Sequence, residues 1–597
     1  MKPIAEKQLE TQLKQSQDKK NIKILIVDDE NVNVYILEKI LFKYNMEYDS
    51  CSSGKEAIKK VEENEYDVVL LDVMLVEMTG FEVCEYIHKI CPELPVIILT
   101  SLIDDDSIRY SFKYGAVDYI KKPINEVELL SRVENVIKIR SAERNIKKLY
   151  QDILHDLNLS SEIQKYLLPE WFVHKKDFLG VSIYEPSSKV SGDLYDILDL
   201  GNDKYLVYMG DISGHGVHAA LLMTAVKSLI QSLVMITDKD KYYPHEFLTR
   251  LNAIITQTLF EQSYITILCS VIDLQHQKMT VYNAGHPPLL TFNKKTGRAQ
   301  FVGQKGGCPL GWFPDSEYDK KDEEVFAFDE ETVFVMYTDG VFECMNDKGE
   351  QLGLKKLLEL IETNARDAFH MYLMPQMIKK LLHDNGFKVM TDDFALLKLE
   401  NTATYFSNYR EVFYINSFLI NVAALGKKIE HCIKKWTDSD LLATKSELAV
   451  NEYLNNIISH GFKGRSTGTI VVEVSYDVKE DSVTLKLYDK GKDWNFNNVL
   501  EEKRYRPQDQ LANSGRGILI IASIASRFYS KRYEDTNETV IVLIKDELEQ
   551  EEKYLKNYDH NAKETAVLAA SANNEQLHSK LHVPPNKKLP LLTTDNP

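Results

Sequence analysis

The chain of 597 residues is long enough for several domains, at roughly 100–200 residues each. Its formal net charge of −18 argues against nucleic acid as a partner, because phosphate binding needs a basic face. Seven cysteines (Cys51, Cys84, Cys91, Cys269, Cys308, Cys344 and Cys432) form no C-x-x-C pair, which points to reduced, partly buried thiols rather than a disulfide framework or a zinc site. Residues 1–20 are polar, do not read as a signal peptide, and are expected to be flexible. No apolar run approaches membrane-spanning length, so a cytoplasmic protein without membrane contact is expected.

Residues 21–139 alternate apolar strands with amphipathic helices, the pattern of a doubly wound parallel sheet. Residues 22–27 end in Asp28-Asp29-Glu30 and residues 67–71 in Asp72. Residues 96–99 end in Thr100-Ser101, and residues 117–120 lead to Lys121-Lys122-Pro123. Sites in such sheets lie at the strand C-termini, where Asp28, Asp29, Asp72, Thr100 and Lys122 would gather. Carboxylates there can hold Mg²⁺ and one can accept a phosphoryl group, while a lysine and a hydroxyl hold its oxygens. This resembles the receiver domain of two-component response regulators. The resemblance implies Asp72 as phospho-acceptor for an upstream histidine kinase or phosphotransfer protein. It also implies Asp28 and Asp29 as Mg²⁺ ligands with Asp72, Thr100 and Lys122 as readers of the phosphoryl group, and Tyr119 as aromatic switch. Leu75-Val76 stands where the family often has Met-Pro.

No Gly or Pro occurs between residues 125 and 168. Ile146, Tyr150, Ile153, Leu157, Ser160, Gln164 and Leu167 recur at alternating spacings of four and three, the seam of a coiled coil. Residues 140–168 are therefore read as a linker, with a parallel homodimer as the natural arrangement. Leu129, Val133 and Val136 fit the same rule in a shifted register, read as a local change of winding.

Within residues 169–400, the stretch VSGDLYDILDLGNDKYLVYMGDISGHG at 190–216 carries two acidic turns, Gly192-Asp193 and Gly210-Asp211. The apolar run Tyr205, Leu206, Val207, Tyr208 and Met209 between them suits a buried strand. Carboxylates facing each other across such a hairpin are unfavourable unless cations neutralise them, and Mg²⁺ or Mn²⁺ prefers oxygen ligands. Thr338-Asp339-Gly340 and Asp392-Asp393 each follow another apolar run. Further strands are expected at 265–272, 279–284, 332–337 and 394–399, with helices at 219–235 and near Leu357. The four turns in this order resemble the bacterial PPM-type (protein phosphatase 2C family) serine/threonine phosphatases, closest to the branch that dephosphorylates anti-sigma-factor antagonists.

That resemblance implies two antiparallel sheets face to face with helices outside. It makes Asp211 the bridge between two Mn²⁺ or Mg²⁺ ions, with the main-chain carbonyl of Ile212 a further ligand. Asp193 would serve one ion and Asp339 and Asp392 the other, with Asp393 the alternative to Asp392. Such ions lower the pKa of a shared water that attacks phosphorus in line. His215 and His286 are candidate acids, although a structural histidine beside a turn is commoner. Residues 162–164 and 167–169 resemble the switch helix at the start of this phosphatase branch.

In residues 405–547, the stretch SELAVNEYLNNIISHGF at 446–462 reads as a helix anchored by Leu448, Leu454, Ile457 and Ile458, with Glu452 and Asn456 one turn apart. Strands at 469–476 and 482–488 lead to Asp489-Lys490-Gly491, then to a polar, Arg-rich stretch suited to a lid, then to Ser514-Gly515-Arg516-Gly517-Ile518 opening a helix. The set resembles the ATP-binding α/β sandwich shared by histidine kinases and anti-sigma-factor serine kinases. It implies Mg-ATP, with Asn456 on Mg²⁺, Asp489 on the adenine amino group, and Gly491, Gly515 and Gly517 in the nucleotide site. Gly515 and Gly517 would let phosphates sit against amides at a helix N-terminus. Glu452 would take the proton of the target serine. Lys492-Asp493-Trp494 stands where more glycine is common, so a docking role without catalysis stays open. No phosphorylatable histidine helix precedes the domain, which favours a serine kinase.

Residues 548–597 lack periodicity and are expected to be disordered. The fold class is therefore multidomain α/β and α+β: receiver, coiled-coil linker, PPM-type sandwich and histidine-kinase-like ATPase. The expected function is a response regulator that dephosphorylates, and also phosphorylates, a serine of a STAS-domain anti-sigma-factor antagonist. In the alternatives, the last domain is a docking module for that antagonist or itself holds a sigma or anti-sigma factor.

Overall fold

The computed structural model describes residues 22–550 except 102–104, 215, 238–241, 259–262, 365–369, 407–408, 463–467 and 493–515. The expectations for residues 1–20, His215, Asp493, Trp494, the lid, Gly515 and the tail beyond residue 550 lie outside the described residues. The chain forms two compact units, Met1–Asp156 and Leu157–Pro597.

The first unit is built on five parallel strands in the order β2-β1-β3-β4-β5: β1 Lys23–Val27, β2 Glu47–Cys51, β3 Val68–Asp72, β4 Val96–Thr100 and β5 Asp118–Lys121. Every residue of β3 and β4 is buried, as expected of central parallel strands covered on both faces. β2, sequence EYDSC, was not expected, because an edge strand with this polar composition carries no apolar run. Helices α1 Asn31–Lys43, α2 Gly54–Glu63, α3 Gly80–Ile90 and α4 Asp105–Lys113 connect the strands. α3 begins with a reciprocal Thr79–Glu82 capping box.

Helix α5 runs unbroken over Glu126–Leu167. Its first turns bury Leu129, Leu130, Val133 and Val136 in one core with Ile24, Ile26 and Leu99. The shifted register expected there is thus not a change of coiled-coil winding; it is the face that packs on the parallel sheet. Ile146, Tyr150 and Ile153 of the expected seam are exposed by more than half.

The second unit begins with two six-stranded sheets. One comprises β8 Leu194–Gly201, β9 Lys204–Ile212, β10 Ile265–Asp273, β11 Lys278–Ala284, β14 Gly306–Gly307 and β15 Glu324–Ala327, and runs β14-β11-β10-β9-β8, with β15 also on β11. The other comprises β6 Phe172–Lys175, β7 Phe178–Glu185, β12 Leu289–Asn293, β13 Ala299–Val302, β16 Thr332–Tyr337 and β19 Phe394–Asn401, and runs β13-β12-β16-β19-β7-β6. β17 Met345–Asn346 and β18 Phe387–Val389 pair separately. The strands that frame the site are β7, β8, β9, β10, β16 and β19. Inner faces interlock through Tyr195, Val207, Met209, Leu268, Phe334 and Leu397. Helices α6 Val217–Ile236 and α7 Pro244–Thr258 cover the first sheet, and α9 Gly353–Thr363 and α10 Met374–Asp384 the second, with the short α8 Gly340–Glu343 between.

α6 corrects the expectation that no apolar run is long enough to span a membrane: by length and composition alone it qualifies. Its buried face packs on the sheet through Ala219, Met223, Val226 and Ile230. Its Lys227 is fully buried and paired with Asp196 at 2.6 Å.

The unit ends with a five-stranded sheet, β20-β21-β22-β24-β23. It comprises β20 Arg410–Asn416, β21 Thr469–Asp477, β22 Ser482–Asp489, β23 Arg527–Tyr533 and β24 Thr536–Ile544. Helices α11 Val422–Thr437, α12 Asp440–Asn456 and α13 Arg516–Ile524 pack one face. Residues of the other face, Val471 and Tyr488, join Trp171, Phe172, Tyr372 and Leu373 in one cluster. The Trp171 indole N–H donates to the Thr469 carbonyl at 3.0 Å.

Candidate functional site

The predicted acidic turns of both sandwich sheets meet at one edge. β8 pairs Leu194 with Gly210 of β9, which sets Asp193 beside Asp211. β16 delivers Thr338-Asp339, and the Thr338 amide donates to the Ala395 carbonyl of β19 at 3.1 Å, next to Asp392 and Asp393. The Thr338 hydroxyl reinforces this crossing, donating to the Asp393 carbonyl at 3.2 Å and accepting from the Ala395 amide at 3.0 Å. A Cβ at Gly340 would overlap the Asp393 carbonyl oxygen, so only glycine lets the two loops approach this closely.

Asp193 is buried, and its Oδ2 has no hydrogen-bond partner among the described residues. Burial, then the Asp211 and Asp393 charges, pushes Asp193 far above the carboxylate range. Burial, then Asp339 and Asp392, pushes Asp211 up to about 8. Burial and Asp392 push Asp339 up to about 6. An all-oxygen basin whose charges repel and whose innermost oxygen is orphaned fits hard divalent cations.

Asp392 and Asp393 differ. The Asp393 carboxylate accepts from the Ser187 amide (2.7 Å), the Ser187 hydroxyl (3.0 Å) and the Gly192 amide (3.1 Å). Asp392 is half-buried and, among the described residues, accepts from the Asp393 amide alone, at 2.8 Å. Ile212 is buried, and its carbonyl lies 3.1 Å from where a Gly192 Cβ would sit, so it faces the Asp193 turn.

Gln164, expected as a seam residue, is buried instead in this edge. Its Oε1 accepts from the Ser191 amide at 3.1 Å, and its Nε2 donates to the Ser191 carbonyl at 3.0 Å and the Ala220 carbonyl at 3.4 Å. The end of α5 therefore holds the loop that carries Asp193. We expect Gln164→Ala to destabilise the second unit by about 1–3 kcal/mol, because buried backbone groups lose their partners. A fall in its urea midpoint checks this.

His286 sits in the same region, with Nδ1 3.0 Å from the Thr266 hydroxyl, and Thr266 stands opposite Asp211 in the β9–β10 register. Burial pushes its imidazole down to about 3, so it stays neutral, and its amide is held by Asn283 at 2.8 Å.

In the first unit, Asp28, Asp29 and Asp72 bring one ligand atom each within 4.8 Å of one another. Among the described residues no other acidic, histidine or cysteine trio closes to that span. Lys122 Nζ lies 2.8 Å from Asp28 and 2.7 Å from Asp72. Burial raises the Asp72 carboxyl, and Lys122 pulls it back. Thr100 is buried, and its carbonyl accepts from the Lys122 amide at 2.8 Å. Tyr119 is half-buried, edge-on to Phe112, with the Arg132 guanidinium 5.4 Å from its ring.

In the third sheet, Asp489 is fully buried; Oδ1 accepts from the Gly491 amide (2.8 Å) and Asn537 (2.9 Å), and Oδ2 from the Tyr453 hydroxyl (2.8 Å). Burial raises its carboxyl against these donors. Tyr453 and Asn537 went unnoticed in the sequence, since neither stands in a motif. On α12, Asn456 donates to the Glu452 carbonyl at 2.8 Å. A Cβ on Gly517 would overlap Glu452 Oε2 and come within 2.6 Å of Asn456 Nδ2, so this glycine brings the start of α13 onto both side chains. Oxygen and amide donors beside a helix N-terminus fit a magnesium nucleotide.

Residues 24–134 match the response regulator receiver domain family. Residues 201–402 match Stage II sporulation protein E (SpoIIE), and residues 416–545 match the histidine kinase-like ATPase domain. The chain thus joins a response receiver, a SpoIIE/PPM phosphatase domain and a histidine kinase-like ATPase domain on one polypeptide. Its relatives include phosphoserine phosphatase RsbU of Bacillus subtilis (strain 168), 26% identical over 263 residues, covering 43% of this chain and 73% of that protein. Phosphoserine phosphatase RsbP of the same strain is 28% identical over 188 residues, covering 32% of this chain and 45% of that protein. Among solved structures, the RsbU and RsbW domains of Rv1364c from Mycobacterium tuberculosis match at 17% identity with a TM-score of 0.34, covering 63% of this chain and 95% of that one.

Proposed function

We propose that this chain is a cytoplasmic response regulator that sets the phosphorylation state of a serine on a STAS-domain anti-sigma-factor antagonist. The observation that carries the reading is the crowded, cation-demanding carboxylate basin around Asp211 in a SpoIIE-matching sandwich. Asp211, shared between Asp193 on one ion and Asp339 and Asp392 on the other, and the Ile212 carbonyl would hold the metal, while Asp393 is spent on Ser187 and Gly192. Bound Mn²⁺ or Mg²⁺ supplies an acidified water and neutralises charge developing on the phosphoryl oxygens. The chain's own part is to fix the ligands: Thr338 and Gly340 lock the two loops, and Gln164 fixes the Asp193 turn. Mn²⁺-dependent release of phosphate from a phosphoserine STAS-domain protein tests the assignment; inactivity across divalent metals would refute it.

The ATPase domain supplies the opposing activity, with Glu452 as base, Asn456 on Mg²⁺, and Asp489, Gly491, Gly515 and Gly517 around the nucleotide. Opposing activities on one chain would cycle ATP to no effect unless an input selects between them. The receiver is that input: Asp72 takes the phosphoryl group with Mg²⁺ held by Asp28 and Asp29, and Lys122, Thr100 and Tyr119 respond to it. Exposed Ile146, Tyr150 and Ile153 on α5 give a second copy a face to pair with.

We expect beryllofluoride on Asp72 to raise the phosphatase-to-kinase ratio by about tenfold, within the usual range of allosteric coupling. Asp72→Ala is the control. Equal ratios in all states would make α5 a passive spacer, and a reversed ratio would overturn the sign alone.

A further inference from the structure

The rim of the metal basin carries exposed aromatic side chains that the proposed chemistry does not use. Tyr264, Trp312 and Phe313 are 38%, 53% and 57% exposed. They form a stacked row, with ring centroids 5.0 Å apart for Tyr264–Trp312 and 6.3 Å for Trp312–Phe313. The row starts at the basin: the Ser213 amide donates to the Tyr264 carbonyl and the Tyr264 amide to the Ser213 hydroxyl, both at 2.9 Å, and Ser213 is two residues beyond Asp211.

A fixed scaffold presents these rings. Leu310 and Ile265 exchange backbone hydrogen bonds of 2.8 and 2.9 Å. Buried Asn252 accepts from the Gly311 amide at 2.8 Å and donates to the Phe313 carbonyl at 3.1 Å. One buried amide side chain thus grips the backbone on both sides of Trp312. Rigid aromatics held in water, next to a site, are the usual anchors of a protein–protein contact, because they bring large area with little entropy to lose.

We propose that Tyr264, Trp312 and Phe313 are the docking ridge for the folded protein that bears the phosphoserine. The inference rests on the phosphatase reading and adds how the carrier is held. A phosphoserine seated in the basin brings the surface of its globular carrier close to the row that Ser213 ties to it. The ridge takes apolar side chains flanking the phosphoserine, while the basin takes the phosphate. Exposed Asp315 and Glu317 beside the row repel anionic membranes and nucleic acid and leave a protein as the fitting occupant.

The test uses the full chain with Mn²⁺ and two substrates: a serine-phosphorylated STAS-domain protein and p-nitrophenyl phosphate. Trp312→Ala and Phe313→Ala are each expected to raise KM for the phosphoprotein at least about tenfold, with kcat and p-nitrophenyl phosphate turnover within about twofold of wild type. Trp312→Phe should restore most of the loss. Equal loss on both substrates, or no loss on either, overturns the ridge. A change from dimer to monomer in the Trp312→Ala chain also overturns it, by assigning the row to self-association. Binding of the phosphoprotein to the Asp211→Asn chain, with and without Trp312→Ala, keeps the two readings apart. A chain that turns over neither substrate but binds through Trp312 fails as a phosphatase and keeps its docking ridge, and binding unaffected by Trp312→Ala overturns the ridge.

Discussion

Asp211→Asn is expected to lower Mn²⁺-dependent phosphoserine hydrolysis more than about 100-fold, beyond the 10–100-fold that loss of an outer-shell partner of a metal typically costs. The reason is positional. Asp339 and Asp392 act on the Asp211 charge, and Asp211 acts on Asp193, which sits beside it across the β8–β9 pair. The neutral amide keeps the shape and the β9–β10 pairing with Thr266, so the fold survives. Near-wild-type hydrolysis by this variant would remove Asp211 from the site.

The same carboxylate makes a stability prediction with a definite sign. Its folded-state pKa of about 8 lies above the ordinary 3.8, so between those values the unfolded chain releases a proton that the folded chain keeps. Stability without metal therefore falls as pH rises from about 4 to about 8, and Asp339, pushed up to about 6, adds to the fall over the lower half of that window. In Asp211→Asn the fall should become shallower across the window, with Asp193, whose carboxyl burial also raises, keeping its own share. Mn²⁺ should flatten the wild-type profile, since the cation neutralises the groups whose crowding causes it. Thermal unfolding midpoints of metal-free and Mn²⁺-loaded chain at pH 5 and pH 8 check both statements. A metal-free midpoint that rises with pH would contradict the electrostatics of the basin.

The residues that sequence reading located best are those where an apolar strand ends in an acid. Asp28 and Asp72 follow β1 and close β3, Asp211 lies in β9, and Asp339 follows β16, so the strand itself carries the carboxylate to the sheet edge. Where one periodicity serves two purposes, the sequence misleads. Leu129, Val133 and Val136 have the spacing of a coiled coil, but a helix lying on a sheet repeats at 3.6 residues, too near 3.5 to separate over three positions. Gln164 fits a seam by spacing yet works through the Ser191 backbone, a partner 27 residues away. The choice between Asp392 and Asp393 rests on which carboxylate Ser187 and Gly192 occupy, a tertiary fact without a local signature. β2 shows the opposite failure, a real strand without the apolar run that would announce it.

Glu452→Ala is the second large effect. In the Asp211→Asn background, where the opposing hydrolysis is removed, the full chain is expected to transfer the γ-phosphate of Mg-ATP to a serine of the STAS-domain protein. Loss of a general base lowers such a rate by about 10²–10⁴-fold, and Glu452 is the proposed base. It sits one turn from Asn456, with Gly517 against both, so its carboxylate lies where the start of α13 meets α12. Nucleotide affinity should change little, because adenine recognition is assigned to Asp489, whose carboxylate is held separately by Tyr453, Asn537 and the Gly491 amide. Asn456→Ala should instead lose transfer and Mg-ATP binding together. Radiolabel transfer and nucleotide binding, measured on the same preparations, separate the two roles. A chain that binds both ATP and the STAS-domain protein but never labels the serine would establish the ATPase domain as a docking module, leaving the phosphatase as the chain's only enzyme.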